Sequence, residues 1–280
     1  KAAIENVKAL MQAPPAGARI LGVHLEGNYF APKMAGAQNP EYLYAPADDD
    51  YMDFIGTGIV RRVSCAPELA GALDMAEKLA DLGIQMSIGH SDGRPIHVEK
   101  GAEAGFTSLT HIFNAQSALT SVFLYPDGGV CEASLINDGI TVECICDGNH
   151  LSPTLLKMIY RLKGADNMIA ITDSTFSGAP DGDYVFGGLP VVVGNNICLL
   201  KDGSAFAGSV ATMDLCLRTL YKKAEIPLVE AVRICSLTPA RLIKEKNVGC
   251  IKTGNYADVV VFDEDIHIIR SFVMGREFTS

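Results

Sequence analysis

The sequence predicts an α/β protein, namely a (β/α)8 barrel with part of a small β-rich domain. Short runs rich in β-branched residues alternate with helical segments over about the first 175 residues. Ionisable side chains recur at the carboxyl ends of these runs, where the strands of a barrel present their functional groups. From residue 183 the pattern changes to short apolar stretches separated by glycine and asparagine turns, which is typical of β-hairpins.

Six segments have the length and composition of strands, and helical segments lie between several of them. The strand segments are 19–26, 58–66, 84–90, 106–112, 140–147 and 167–174. Helices are predicted over 67–83, 95–105 and 153–164, each ending at a glycine. This alternation indicates a parallel sheet, either closed into a barrel or left open. Because a closed barrel needs eight units and the chain begins in a helical segment, we expect the first two strands to be missing from this chain.

The C-terminal part of the chain is organised differently. Residues 183–208 contain turns at Gly-Gly, Gly-Asn-Asn and Asp-Gly, which predict a β-hairpin insertion. Two helices are predicted near 210–224 and 227–245, after which a β-rich pattern returns. The domain prediction is therefore a barrel incomplete at its N-terminus over 1–247 and the C-terminal strands of a small β domain over 248–280.

Composition excludes several classes of partner. The chain has 33 acidic and 23 basic residues and a formal charge of −10, which argues against nucleic acid or an anionic membrane as the main partner. No apolar run approaches the ~20 residues that span a bilayer, and the first ten residues form an amphipathic helical pattern rather than a signal peptide. The eight cysteines lie mostly in apolar segments without a CxxC pair, which predicts reduced thiols in a cytoplasmic protein.

The side chains best suited to chemistry stand at or near the ends of predicted strands: Glu26, His90, His111, His150 and Asp173. In a barrel the carboxyl ends of all strands meet at one mouth, so these distant residues are expected to lie together. One carboxylate and two imidazoles can hold a divalent transition metal and leave a position open for water. Zinc is the expected ion, and iron or another divalent ion is the alternative.

Each of these residues has a simpler explanation when it is taken alone. A single histidine at a strand end is more often a hydrogen-bonded structural residue than a ligand, and Asp173 before Ser-Thr resembles a turn or helix cap. His24 points to the same face as Glu26 one layer deeper, so a supporting role is expected for it. His97 and His267 are assigned structural roles. The coincidence of such groups at the same end of four strands favours a shared site.

The phrases GVHLEGNYF, AGAQNPEYL, SIGHSDG, LTHIFNA, CDGNHLSP, ITDSTFSGAP and FAGSVATM follow one another along the chain. From about residue 19 to its end, the sequence resembles in these motifs the N-acetylglucosamine-6-phosphate deacetylases of the amidohydrolase superfamily. The resemblance implies a TIM-type barrel of the metal-dependent hydrolase kind and a homodimer. It also implies hydrolysis of the N-acetyl group of N-acetylglucosamine 6-phosphate, giving glucosamine 6-phosphate and acetate.

Roles for individual residues are implied by the same motifs. Glu26, His90 and His111 would bind the metal, and Asp173 would be the proton shuttle. The implied substrate contacts come from Ala37, Gln38, Asn114, Ala115, His150, Phe206, Ala207 and Gly208. Asn114 and Ala115 would contact the phosphate and His150 the sugar. The backbone of 206–208 would close over the acetamide side.

The sequence departs from the family pattern at two places. Gln38 stands where the family commonly has a histidine, and its amide could donate to a carbonyl that becomes an oxyanion, or could be a solvated loop residue. Residues 116–129 contain no arginine, whereas the family usually has there an arginine that binds phosphate. Two alternatives to the phosphorylated substrate therefore stay open. One is an amidohydrolase acting on another N-acyl amine or an unphosphorylated N-acetyl amino sugar, and the other is a non-catalytic barrel scaffold.

Overall fold

A computed structural model describes residues 1–13, 17–47, 49–122 and 124–278, with the backbone alone at Val122. Its main sheet contains all six predicted strands, each three or four residues shorter than the predicted segment. In chain order the first eight strands are β1 (Val23–Glu26), β2 (Val60–Cys65), β3 (Gln85–Ile88), β4 (Phe106–Leu109), β5 (Thr120–Val122), β6 (Tyr125–Asp127), β7 (Thr141–Ile145) and β8 (Met168–Ile171).

The six-stranded sheet is parallel throughout, in the order β1-β2-β3-β4-β7-β8. Consecutive strands of the main sheet are therefore neighbours, as in a barrel wall, and all their carboxyl ends lie at one edge. Within the described ranges β1 and β8 do not pair with each other, so the barrel wall is not closed and the sheet is a half-barrel with two open edges. The sequence predicted a (β/α)8 barrel without its first two strands, and the half-barrel is consistent with that prediction. A barrel wall of this kind fits the predicted α/β class.

Helices connect and cover these strands. They are α1 (Ala2–Gln12), α2 (Met52–Ile55), α3 (Ala72–Asp81), α4 (Pro95–Glu103), α5 (Val130–Ile136), α6 (Pro153–Lys163), α7 (Met213–Arg218), α8 (Leu228–Cys235) and α9 (Leu237–Leu242). One apolar core joins helices α1 to α8 to the sheet. On α3, for example, Met75, Ala76 and Leu79 are buried in it. This packing of an apolar helix stripe on the sheet supplies most of the stability of the half-barrel.

Several predicted helix bounds are wrong for local reasons. The helix predicted from residue 67 begins at Ala72, because Gly71 before it adopts a left-handed φ of 80° that a helix cannot include. The single helix predicted over 227–245 is two helices, α8 and α9. Pro239 has no N–H to bond to the carbonyl four residues earlier, and Ser236 leaves the helical region.

Some short elements were not predicted at all. Strands β5 and β6 form a hairpin within the segment after HIFNA, in which Phe123 lies outside the described residues. Helix α5 follows directly, and its residues Val130, Cys131 and Leu135 are buried in the core. Both elements are too short for their periodicity to stand out in the sequence.

Two small antiparallel sheets complete the described fold. Strands β9 (Gly182–Phe186), β10 (Leu189–Gly194) and β11 (Ile197–Leu200) occupy the segment where hairpins were predicted. Strands β12 (Val259–Phe262), β13 (Ile268–Val273) and β14 (Arg276–Phe278) form the C-terminal sheet. The cysteines are free thiols, and six of the eight are buried. No helix in the described ranges has the length and apolar character needed to cross a bilayer.

The inside of the half-barrel carries a buried polar network below the strand ends. Arg62 of β2 forms an ion pair with Glu143 of β7, and its guanidinium also donates to the hydroxyls of Ser87 and Ser108 at 2.6 and 3.0 Å. Burial lowers the pKa of Arg62 to about 10, although the nearby carboxylate of Glu26 opposes this shift. A buried charge of this kind is tolerated only because its partners are in place.

Candidate active site

Three predicted metal ligands meet at the carboxyl edge of the main sheet. Glu26 is the last residue of β1, while His90 and His111 follow the ends of β3 and β4. The Oε1 atom of Glu26 lies 3.3 Å from Nε2 of His90 and 2.9 Å from Nε2 of His111. All three ligand atoms lie within 4.8 Å of one another, the arrangement needed to bind a single cation.

The orientation of His90 suits metal binding. Its Nδ1 donates to the carbonyl of Met34 at 2.6 Å, and because a carbonyl can only accept, the proton of the neutral ring is on Nδ1 and the lone pair is on Nε2. The ring of Phe30 stacks on the imidazole with a centroid distance of 4.1 Å and an interplanar angle of 16°. His111 packs edge-on against His90, and its own buried Nδ1 has no partner within the described ranges.

The electrostatics of this cluster are those of a site that attracts a cation. Burial raises the pKa of Glu26, but the imidazoles of His111 and His90 lower it more, so the carboxylate is charged at neutral pH. Burial lowers the pKa of His111, but the Glu26 carboxylate raises it more, to about 9. The residues therefore fit a divalent ion, which would replace the proton of His111 as the positive partner of Glu26.

Asp173 reaches the same edge from the other end of the sheet. It lies two residues beyond β8, and its backbone carbonyl accepts from the N–H of Ser209 at 2.7 Å. The Ser209 carbonyl in turn accepts from the N–H of Thr175 at 3.0 Å. Burial raises the pKa of the Asp173 carboxyl, and the charge of His111 opposes this effect only in part. A carboxyl group whose pKa is raised toward neutrality is suited to accept and donate a proton.

Three of these residues have backbone conformations that L-amino acids rarely adopt. The φ angles of His90, His111 and Asp173 are 48°, 27° and 48°. Such conformations persist only where the surroundings hold them, and they concentrate at functional sites. Each of the three side chains is therefore aimed by a kink at the end of its strand, a feature that the residue pattern did not reveal.

The strand ends enclose a cavity of about 380 Å³. Eleven of the twelve predicted site residues line it: Glu26, Ala37, Gln38, His90, His111, Asn114, Ala115, His150, Asp173, Phe206 and Gly208. Ala207 does not; it is buried, its N–H donates to the Cys198 carbonyl at 3.0 Å, and its carbonyl accepts from the Thr175 hydroxyl at 2.8 Å. Both backbone groups of Ala207 are therefore already used within the protein.

Sequence reasoning missed several residues of the same cavity: Gly36, Phe113, Ile145, Thr175, Phe186 and Ala205. Thr175 stands in the motif ITDSTFSGAP, two residues from Asp173, and this proximity could have identified it. Phe186 comes from β9, which was predicted as part of a hairpin with no link to the site. None of the described residues that line the cavity is a lysine or an arginine.

The histidines expected to have supporting roles make local contacts. Nε2 of His24 is 2.7 Å from the hydroxyl of Ser64, and its Nδ1 is 3.8 Å from Glu26, one layer below the strand ends. His97 accepts the backbone N–H of Arg94 and so caps α4. His267 pairs with Asp263 in the turn before β13.

Comparison with known proteins places the chain in a family. The model of the amidohydrolase family matches residues 1–277. The chain belongs to the amidohydrolase family. Within it the chain belongs with the N-acetylglucosamine-6-phosphate deacetylases, since it is 32% identical to the one of Bacillus subtilis (strain 168) over 96% of this chain and 68% of that protein. Another, from Lysinibacillus sphaericus, is 32% identical over 92% of this chain and 66% of that protein. The chain thus spans about two thirds of the length of these relatives.

Solved amidohydrolase structures agree with this placement. The N-acetylglucosamine-6-phosphate deacetylase of Pasteurella multocida superposes with a TM-score of 0.91 at 26% identity, covering 99% of this chain and 72% of the other. As an amidohydrolase, the chain has a possible metal-binding group in Glu26, His90 and His111.

Proposed function

We propose that the protein hydrolyses the N-acetyl group of N-acetylglucosamine 6-phosphate, releasing glucosamine 6-phosphate and acetate in amino-sugar catabolism. The observation that carries this proposal is the meeting of Glu26, His90, His111 and Asp173 in one cavity of an amidohydrolase. The family of deacetylases to which the chain belongs supports the reaction and the substrate.

Glu26, His90 and His111 would hold one divalent ion, for which we propose zinc, with iron(II) or another divalent ion as the alternative. When bound, such an ion supplies Lewis acidity and lowers the pKa of water from about 15.7 to about 7. The chain itself contributes the orientation of the ligands. The Met34 carbonyl fixes the tautomer of His90, and the ring of Phe30 holds its plane.

Proton transfer is the task proposed for Asp173. Amide hydrolysis needs a base that removes a proton from the attacking water and an acid that protonates the departing nitrogen, because an amine anion cannot leave. Asp173 can perform both steps in turn, since burial raises the pKa of its carboxyl. The carboxyl takes the proton of the water and passes it to the nitrogen, so that it is charged again when acetate and amine leave.

Gln38 is positioned to act on the carbonyl side of the amide. It lines the cavity, its backbone N–H donates to the Ala35 carbonyl, and its side-chain amide forms no hydrogen bond within the described ranges. A free amide N–H can donate to the carbonyl oxygen as negative charge develops on it. The simpler alternative is that Gln38 is a solvated loop residue. Gln38→Ala should lower kcat if the amide donates to the carbonyl oxygen, and should leave kcat unchanged if the side chain is only solvated.

Backbone amides are proposed to bind the phosphate. Phe113 and Ala115 have left-handed φ angles of 67° and 47°, which turns the chain sharply at the cavity wall. The N–H of Ala115 forms no hydrogen bond within the described ranges. Successive N–H groups in such a turn form a concavity that suits an anion. His150 and Phe206, which also line the cavity, would contact the sugar.

One pair of measurements on the purified protein tests the proposal. Metal content is measured by elemental analysis, and acetate release is measured with N-acetylglucosamine with and without the 6-phosphate. We expect about one metal ion per chain and a kcat/KM at least about tenfold higher for the phosphorylated sugar, because charge-assisted hydrogen bonds are the strong ones. A protein that binds no metal and releases no acetate would contradict the proposal and favour a scaffold.

A second substrate class is favoured by one specific observation. No lysine or arginine is among the described residues that line the cavity, so no ammonium or guanidinium group is available there for a phosphate. This favours an unphosphorylated N-acetyl amino sugar or another N-acyl amine. Equal kcat/KM values for the two sugars would support this class and exclude phosphate recognition.

The oligomeric state is proposed from the family, not from contacts between subunits. We propose a cytoplasmic homodimer in which residues 1–247 form a (β/α)8 barrel that is incomplete at its N-terminus, with a β-hairpin insertion at about 183–208. Residues 248–280 would form the C-terminal strands of a small β domain. The open edges at β1 and β8 support a barrel with further strands. Light scattering of the purified protein measures the oligomeric state directly, and a monomer would contradict the dimer.

A further inference from the structure

We infer that Asp147 is a positioning residue that sets the tautomer of His150, so that Nε2 of the neutral imidazole accepts a hydrogen bond from a hydroxyl of the substrate. The hydrogen bond between His150 and the substrate rests on the proposed function, whereas the tautomer of His150 does not.

The carboxylate of Asp147 is held by three hydrogen bonds from the turn that follows β7. Its Oδ1 accepts from the backbone N–H groups of Asn149 and His150, both at 2.9 Å. Its Oδ2 lies 2.8 Å from Nδ1 of His150. Burial raises the pKa of Asp147, but the hydrogen bonds from His150 lower it more, so the group is an anion that can only accept.

Because Asp147 can only accept, Nδ1 of His150 must carry the proton. In the neutral ring Nε2 then has a free lone pair. The contact between Asp147 and His150 is sheltered from water, since each of the two side chains is only 3% exposed. Low exposure strengthens this hydrogen bond. It also makes the other tautomer unfavourable, because the lone pair of Nδ1 would then face Oδ2 of Asp147, which can only accept.

The plane of the imidazole is fixed as well. The ring of Phe206 packs on it with a centroid distance of 4.2 Å and an interplanar angle of 37°. Phe206 and His150 both line the cavity, and Nε2 of His150 forms no hydrogen bond within the described ranges. An oriented acceptor with no internal partner is therefore presented to whatever occupies the cavity, and a sugar hydroxyl is a donor that fits it.

Asp147→Asn tests the inference because asparagine preserves the shape and inverts one hydrogen bond. Its carbonyl can still accept from the two backbone N–H groups, but its NH₂ would face Nδ1 of His150 and force the proton onto Nε2. Nitrogen-15 NMR of histidine-labelled protein reports the tautomer, and His150→Gln identifies the signals. We expect Nδ1–H in the wild type and Nε2–H in the variant.

Kinetics supply the second measurement. For Asp147→Asn we expect an increase in KM for the sugar of about tenfold or more, with a smaller change in kcat and unchanged metal content. The combination of Asp147→Asn with His150→Gln should be no worse than His150→Gln alone, because both act through one contact. The matched control is Asp263→Asn, since Asp263 pairs in the same way with Nδ1 of His267 on the exposed C-terminal turn.

Each outcome decides a separate question. A wild-type protein with Nε2–H at His150 would overturn the inference even if Asp147→Asn failed to fold. A tautomer change without a change in KM would overturn the role toward substrate. If the wild type released no acetate from any sugar, the proposed function would fail, while the tautomer measurement would still stand on its own.

Discussion

Strained backbone conformations orient three side chains toward the cavity. His90, His111 and Asp173 all have positive φ angles just beyond the ends of their strands. In a regular strand, successive side chains point to opposite faces of the sheet. A kink after the last strand residue instead turns the next side chain toward the cavity at the carboxyl edge of the sheet. The surrounding hydrogen bonds, such as the one from Ser209 to the Asp173 carbonyl, hold these conformations in place.

Asp173→Asn separates proton transfer from metal binding at this scale. The amide has nearly the shape of the carboxyl but cannot take up a proton at neutral pH, so kcat should fall by about 10²–10⁴-fold. Metal content should be unchanged, because the three ligands are on other strands. Asp166→Asn, at an exposed aspartate paired with Arg241, is the control and should retain wild-type kcat. Full activity in Asp173→Asn would exclude this residue as the shuttle.

The Asp147 carboxylate predicts a dependence of stability on pH. Its folded-state pKa lies below the ordinary value, because the hydrogen bonds from His150 outweigh the effect of burial. A depressed carboxyl pKa stabilises the fold above the unfolded-state pKa of about 3.9, and this contribution is lost as the pH falls through the folded-state value. The difference in urea midpoint between wild type and Asp147→Asn should therefore be full at pH ~6 and shrink below pH ~4. A constant difference across this range would contradict the assignment.

Among elements, the connection after β8 depends on one glycine. Gly208 has a φ of 67°, and a Cβ there would lie 2.7 Å from both the Asp173 carbonyl oxygen and Cγ2 of Thr175. The close approach allows residues 207–209 to bond to 173–175 as a short parallel bridge. Asp173 is therefore positioned by a loop more than thirty residues further along the chain.

Gly208→Ala should lower both stability and activity. The left-handed backbone alone costs an alanine about 1 kcal/mol, and the clash must also displace the carbonyl of Asp173. Gly203→Ala is the matched control, because Gly203 also has a positive φ, of 74°, but has nothing within 4 Å of the added Cβ. Urea unfolding should show the cost of the left-handed backbone in both variants and a further loss of stability from the clash in Gly208→Ala. The value of kcat should fall only in Gly208→Ala. Equal kcat values would show that the bridge does not position Asp173.

The ion pair between Arg62 and Glu143 ties together strands β2 and β7, which are not neighbours in the sheet. Removing one partner leaves the other charge buried and unpaired, so Glu143→Gln should lower the free energy of unfolding by about 3–5 kcal/mol. Replacing both residues, with Arg62→Met and Glu143→Leu, should recover much of that loss. Glu103→Gln on the exposed face of α4 should change it by less than ~0.5 kcal/mol. Denaturant midpoints of these three variants and the wild type test these expectations.

The order of the main strands could be predicted from the sequence, but the contacts that orient the side chains of the site could not. The six strands are apolar, β-branched runs separated by helices, so local composition identifies them. Helix α5 and the β5–β6 hairpin were not predicted, because the structure of such short elements depends on packing more than on local sequence. Likewise Glu26, His90 and His111 could be found from their positions at strand ends. The contacts of Phe30, the Met34 carbonyl and Asp147 could not, because they depend on folded loops.

At the scale of the whole molecule, the proposed ion would bind three strands to one another. Its ligands come from β1, β3 and β4, and β1 is an open edge of the half-barrel within the described ranges. A ligand that binds only the folded state stabilises it by about 2.7 kcal/mol at a concentration of 100 Kd. For a domain of this size that corresponds to an increase in Tm of roughly 5–10 °C.

Removal and return of the metal should therefore change the Tm of the whole fold. A chelator should lower the Tm of the wild type, and added zinc should restore it. His90→Gln should lose most of this response, because the amide replaces one of the two imidazole ligands. His97→Gln, a matched change at the residue that caps α4, should respond as the wild type does. A wild-type response in His90→Gln would mean that any metal stabilising this fold is bound by other residues, so calorimetry of these two variants tests the ligand set without any assay of activity.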